Sequence, residues 1–243
     1  MNASPSDQRL LLDVAELDTR IRASDTLRRN PPQAARVQQL IARRQELSAA
    51  LTGLLGTRDD LKADLSRIES DVAVVDARRE RDAERLAHTS NVKEAQGLES
   101  ELGSLARRKS DLEDAELAIM EQLEEADSAV AAQQAVIEET NGEGSTLSAE
   151  AKRVVAEASA AFEAATRDRV AVAARVPADL LALYDRVAQR SSGAALLRRG
   201  TCEGCRMVLA GTDLQAIRLA AEDAVVTCAE CGCILVRTEE SGL

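Results

Sequence analysis

Apolar residues recur at alternating steps of three and four from Val37 through Leu40, Leu47, Leu51, Leu54, Leu61, Leu65, Ile68 and Val72 to Val75. Sustained over about five heptads, that spacing holds one apolar seam on one face of a helix, the signature of a coiled coil. Arg44 and Arg58 interrupt the seam. A buried ion without a partner is strongly destabilising, and Arg58 could pair with Glu116 on a facing helix given modest staggering. An earlier fragment, Leu10, Val14, Leu17 and Ile21, follows the same rule two residues out of phase. Between the two lies Asn30-Pro31-Pro32, where proline removes backbone donors and pushes the preceding residue out of helical geometry, so a break is expected there.

A second seam runs from Leu98 through Leu102, Leu105, Leu112, Ile119, Leu123, Ala126 and Val130 to Ile137, and resumes in phase at Leu147, Ala151, Val154 and Ala158. The intervening Asn141-Gly142-Glu143-Gly144 has turn-like composition. The surviving heptad phase nevertheless predicts one long helix through it. The apolar-free segment His88-Thr89-Ser90-Asn91 carries the serine and asparagine that start helices, and it divides the chain into near-equal arms. The pattern therefore predicts an antiparallel helical hairpin with its tip near 88–91, in which facing residues have numbers summing to about 179. The expected fold class is mostly α: the hairpin over 1–175, a short helix and linker over 176–200, and a small β zinc ribbon over 201–243.

Composition agrees with long helices. The 243 residues include one Phe, one Tyr and no Trp, 30% are charged and the formal net charge is -11. That profile argues against an ordinary globular enzyme, whose core would use aromatic side chains. The chain lacks any run of roughly 18 apolar residues, and its opening residues resemble no export signal, so a cytoplasmic protein without membrane contact is expected. The acidic balance disfavours a whole-molecule grip on nucleic acid.

All five cysteines lie between Cys202 and Cys233. Two C-x-x-C pairs, Cys202 with Cys205 and Cys228 with Cys231, are separated by twenty-two residues. Each pair can wrap a tight turn that points two thiolates at one ion. Tetrahedral zinc fits this donor set best, with an iron site or two redox dithiols as the alternatives. Four thiolates close the coordination sphere, so a single structural Zn2+ is expected, supplying folding free energy to a segment too small to fold alone. Cys233 reads as a spare side chain on the strand Ile234-Leu235-Val236, or as an alternative ligand or redox sensor.

Ribbons with this spacing also bind nucleic acid. Here five arginines between Arg198 and Arg237 face five acids (Glu203, Asp213, Glu222, Asp223, Glu230), and there is no aromatic residue for base stacking. Arg198, Arg199 and Arg206 form at most a local basic edge. A protein partner is therefore the expected one, engaging either this edge with Met207, Val208 and Leu209 or the tip residues Asn91 and Lys93; weak nucleic-acid binding through the arginines is the alternative. The only histidine is His88. No triad, histidine-ligated catalytic metal, Walker loop or dinucleotide fingerprint is present, so neither catalysis nor a small-molecule substrate is expected.

The stretch Asn91-Val92-Lys93-Glu94 followed by Leu98, Glu101, Leu105, Arg108, Leu112-Glu113-Asp114 and Met120-Glu121, with Pro177-Ala178-Asp179-Leu180, Tyr184, Cys202-Glu203-Gly204-Cys205 and Cys231-Gly232-Cys233-Ile234-Leu235-Val236-Arg237, resembles a bacterial family of coiled-coil proteins that end in a C4-type zinc ribbon. The resemblance covers nearly the whole chain and is strongest to the actinobacterial branch. It implies Cys202, Cys205, Cys228 and Cys231 as ligands and a hairpin tip near residue 90. Relatives in flagellated and chlamydial bacteria act as partners of the alternative sigma factor, and a messenger-RNA-binding role has been proposed for the family. Cys233 stands where relatives often carry arginine, which lowers the case for a basic nucleic-acid surface. Actinobacteria generally lack that sigma factor, so the relatives' partner does not transfer.

Overall fold

A computed structural model describes residues 1–243. Its helices are α1 (Pro5–Arg29), α2 (Ala34–His88), α3 (Val92–Ala173), α4 (Ala178–Ala188) and α5 (Gly211–Leu219), and its strands are β1 (Ala194–Arg198), β2 (Thr201–Cys202), β3 (Val226–Thr227) and β4 (Ile234–Val236). The chain divides into two compact units, one comprising 35–148 and the other 1–34 with 149–243.

The first unit is the hairpin of α2 against α3. Ion pairs fix its register: Arg36 with Glu143 at 2.8 Å, Arg78 with Glu101 at 2.7 Å and Arg85 with Glu94 at 3.1 Å, each pair of numbers summing to 179. That is the register the seams predict. Leu40, Leu47, Leu98, Leu105, Leu112 and Val130 are buried between the helices, whereas Leu51, Leu54, Leu61, Leu65 and Ile68 are half-buried. Two helices cover each other's stripe from one side only, which leaves part of each seam wet.

The interrupting arginines behave differently from expectation. Arg58 does not reach Glu116; its guanidinium bonds the adjacent Asp59 at 2.8 Å with a quarter of the side chain exposed. A long side chain at the edge of a two-helix seam can run its stem along the apolar surface and leave its charge in water, so no partner across the hairpin is needed. Arg44 is exposed. At the tip, Asn91 Oδ1 accepts hydrogen bonds from the backbone N–H of Lys93 and Glu94 at 3.0 and 3.4 Å, capping α3.

α3 runs unbroken through Asn141-Gly142-Glu143-Gly144. A β-carbon built at Gly142 or Gly144 meets no atom within 4 Å, so neither glycine is required by packing. Gly142→Ala and Gly144→Ala should each raise hairpin stability by about 0.5–1 kcal/mol, because alanine forfeits less backbone entropy in a helix. Urea unfolding of the double variant, followed by helical circular dichroism, tests this; a lowered midpoint would mean that the two glycines mark a real turn.

The second unit is built on a four-stranded sheet of order β2-β1-β4-β3. β1 lies parallel to β4 and antiparallel to β2, and β3 lies antiparallel to β4. Side chains alternate across this sheet. On one face, Ala194, Ile234 and Val236 pack with Leu11, Val14 and Ala15 of α1 and with Val176, Leu180 and Tyr184. On the other, Ala195, Leu197 and Leu235 pack with Cys202, Cys228, Cys233, Leu209 and Ile217. β1 thus lies in the segment read as a linker. The ribbon strands cannot cover both faces of their own sheet, and α1 and α4 supply one cover.

A polar network ties the helices of this unit. Arg169 of α3 donates to Asp18 of α1 at 2.6 Å and to Asp185 of α4 at 2.9 Å, and the Tyr184 hydroxyl donates to Asp18 at 2.8 Å. Burial, reinforced by the Asp18 carboxylate, pushes the Tyr184 phenol up from its ordinary value. Arg28 stacks 4.2 Å from the centroid of Phe162, the chain's one phenylalanine. α1 ends at Arg29 and α2 begins at Ala34, the break that Asn30-Pro31-Pro32 predicts.

Candidate metal centre

The two C-x-x-C turns are built alike. In the first, the Arg206 N–H donates to the Cys202 carbonyl at 2.7 Å and the Cys202 N–H donates to the Met207 carbonyl at 3.0 Å. In the second, the Gly232 N–H donates to the Cys228 carbonyl and the Cys228 N–H to the Cys233 carbonyl, both at 2.9 Å. The residue after the second cysteine takes a left-handed backbone in each, with φ of +60° at Arg206 and +72° at Gly232. Arg206 thus sits where glycine is at ease, which costs an L-residue roughly 1 kcal/mol or more. Gly204 has a different role. A β-carbon there would fall 2.5 Å from Ser192 Oγ and 3.0 Å from the Ala195 β-carbon, so its bare Cα lets the first turn lie directly on β1.

This arrangement brings the sulfurs of Cys202, Cys205, Cys228 and Cys231 within 4.8 Å of one another. Cys202 to Cys231 and Cys205 to Cys228 are each 3.9 Å apart. A tetrahedron with metal–sulfur bonds of about 2.3 Å has edges of about 3.8 Å, so the four positions fit one zinc ion. They form a closed, structural site with no vertex left for water or substrate. Burial pushes the Cys202 thiol up to about 11, so deprotonation at neutral pH falls to the metal.

Cys233 is also here, fully buried, with its sulfur 3.5 Å from that of Cys202 and 3.4 Å from that of Cys231. Burial, then the neighbouring cysteines, push its thiol far up. Spacing in the sequence places it beside the strand Ile234–Val236 but gives no sign that its side chain turns toward the ligands.

The arginines divide. Arg198 is bound to Glu240 at 2.7 Å and lies within 3.9 Å of Glu203. Arg237 donates to the carbonyls of Ile217, Ala220, Ala221, Glu222 and Ala224 and so closes the C-terminal end of α5. Arg199 and Arg206 are exposed and take part in no ion pair. Beside Arg206, Met207 and Val208 are 51% and 72% exposed, whereas Leu209 is 4% exposed and belongs to the core below β1. Leu209 is therefore withdrawn from the expected contact surface, because its backbone bond to Gly200 turns it inward. At the hairpin tip, Asn91 and Lys93 are exposed, with the Asn91 side chain engaged as the helix cap.

No helix is long and apolar enough to cross a membrane. Residues 14–192 match the model of the CT398-like coiled-coil hairpin domain, and residues 201–235 match that of the C4-type zinc ribbon domain. The chain is 32% identical, over 98% of its own length and 98% of theirs, to uncharacterized proteins of Mycobacterium tuberculosis strains CDC 1551 and H37Rv. A solved structure from Mycobacterium smegmatis superposes with a TM-score of 0.81 at 28% identity, covering 98% of this chain and 100% of that one. CT398 from Chlamydia trachomatis superposes with a TM-score of 0.61 at 14% identity over 95% and 97%, a likeness of fold.

Proposed function

We propose, from the premise that this chain belongs to the family of CT398-like coiled-coil hairpin proteins ending in a C4-type zinc ribbon, that it is a non-enzymatic adaptor whose ribbon docks a protein. The observation that carries this reading is the first cysteine turn. Its Arg206 is kept in a left-handed backbone, free of any ion pair, beside the exposed Met207 and Val208. An unneutralised arginine next to exposed apolar side chains suits a protein surface with an apolar pocket and an acidic rim. The closed metal site gives no chemistry to a substrate, and the hairpin supplies a second, polar surface around Asn91 and Lys93.

A nucleic-acid role finds less support. Arg198 and Arg237 are committed within the protein, which leaves Arg199 and Arg206 of the edge, with Arg218 on α5, as the free charges of the ribbon. At most about three phosphate contacts without a stacking residue predict binding weaker than about 10 μM at physiological salt.

The test is photo-crosslinking from position 208 in native extract, with and without nuclease. A nuclease-resistant protein adduct that disappears on Arg206→Glu or Met207→Ser is expected. Sub-micromolar, sequence-selective RNA or DNA binding by the full-length chain would instead make the nucleic-acid role primary. Arg206→Gly separates docking from folding: it should leave the ribbon as stable or up to about 1 kcal/mol more stable, since it relieves the left-handed strain, while weakening the adduct.

A further inference from the structure

The two cysteine turns are equivalent residue for residue, and the equivalence makes Cys233 the counterpart of Met207: each offers its carbonyl to the N–H of the first cysteine of its own turn. Their side chains part company. Met207 is half exposed, whereas Cys233 is fully buried with its sulfur against two of the four ligand sulfurs. At 3.4 Å from Cys231 and 3.5 Å from Cys202, it stands nearer to each than those two stand to one another, at 3.9 Å.

We propose that Cys233 is a reserve ligand of the zinc centre, able to take the place of Cys231 and keep the site at four sulfurs. Cys231 is the natural vertex to exchange. It is half-exposed, unlike Cys202 and Cys228, and lies two residues before Cys233 on the approach to β4. A change of staggered rotamer carries a cysteine sulfur about 3 Å, comparable to the 3.4 Å that separates the two positions. In the exchange, the bond from Cys231 to the metal breaks and one from Cys233 forms, and the Cys233 proton passes to solvent or to the departing thiolate. Zinc with four thiolates keeps the same charge throughout, and no electron moves. Cys205, the other half-exposed ligand, sits across the site in the opposite turn, so its loss has no such remedy.

The test uses full-length protein and reads metal content and coordination rather than activity. Cys231→Ser should retain one zinc with affinity within about tenfold of the parent, and its cobalt-substituted form should keep the intense charge-transfer bands of four thiolates. Adding Cys233→Ser should weaken binding by on the order of a hundredfold or more, as should Cys205→Ser alone, while Cys233→Ser alone should retain the metal. Loss of zinc by Cys231→Ser to the extent seen in Cys205→Ser would overturn the proposal, since a buried thiol that only packs beside the ligands predicts that result. Retention by the double variant would overturn it equally, because serine or solvent would then be filling the vertex. If Cys231→Ser does not fold, limited iodoacetamide treatment of the parent protein followed by native mass spectrometry serves instead. Molecules alkylated at Cys231 should keep zinc and those alkylated at Cys205 should not; equal loss from both would refute the exchange.

Discussion

Cys228→Ser should release the zinc and unfold the ribbon while most of the helical circular dichroism persists. Cys228 is buried, and the fifth sulfur approaches Cys202 and Cys231 rather than this position, so no thiol is at hand to replace it. Below the sheet the core consists of little more than Ala195, Leu197, Leu209, Ile217 and Leu235 with the cysteines themselves. Apolar burial on that scale does not offset the entropy of ordering the segment, and structural zinc ordinarily supplies on the order of 10 kcal/mol to such domains. The loss should also reach the other face, because Ile234 and Val236 of β4 carry the contact with α1 and α4. Tyr184 lies in that contact and is the only tyrosine in the chain, so its fluorescence and near-ultraviolet dichroism should change with metal loss. The hairpin of 35–148 has its own seam and ion pairs and should keep its unfolding midpoint. Collapse of the whole helical signal on metal removal would show that the two units do not fold independently.

The parts of this architecture that were legible in the sequence are those that repeat or carry fixed chemistry. Period-3.5 seams gave the two long helices and, through the arm lengths, a register that the pair Arg78–Glu101 obeys. The C-x-x-C spacing gave the metal site, because only a narrow set of turns can aim two thiolates at one ion. What escaped was short or non-local. The strand Ala194–Arg198 offers five residues with no clear alternation, and its identity as a strand comes from pairing with Ile234–Val236. The cover that α1 gives to the sheet joins Leu11 and Val14 to Val236, a contact no local pattern encodes. Charge counting gives the balance but not the partners, since formal charges do not reveal that Arg198 is neutralised by Glu240 or that Arg237 is spent on backbone carbonyls. Long flexible side chains choose partners only once the backbone has set the distances, and Arg58 bonds the adjacent Asp59 rather than reaching along the facing helix to Glu116.

Gly193→Ala should destabilise the second unit by about 3 kcal/mol or more, because two independent costs meet at one residue. Gly193 has φ of +75°, a left-handed conformation that costs an alanine roughly 1–2 kcal/mol. A β-carbon there would also fall 2.4 Å from Cε2 and 2.7 Å from Cζ of the Tyr184 ring. That ring cannot easily withdraw. It is fully buried between α1 and β1, and its hydroxyl is held at 2.8 Å by Asp18, itself fixed by Arg169. Overpacking of a rigid core ordinarily costs a further 1–3 kcal/mol. Gly193 cannot retreat either, since its carbonyl accepts the Ile234 N–H at 2.9 Å and so anchors the start of β4. A double-mutant cycle separates the two costs: Tyr184→Leu removes the outer ring atoms and should recover the steric part in the Gly193→Ala background, whereas Tyr184→Phe keeps Cε2 and Cζ and should recover little. Thermal unfolding followed in the near ultraviolet for the second unit and in the far ultraviolet for the hairpin gives the comparison. A Gly193→Ala protein with an unchanged near-ultraviolet transition would show that the glycine is not held by the ring and that the turn into β1 is free to adopt another path.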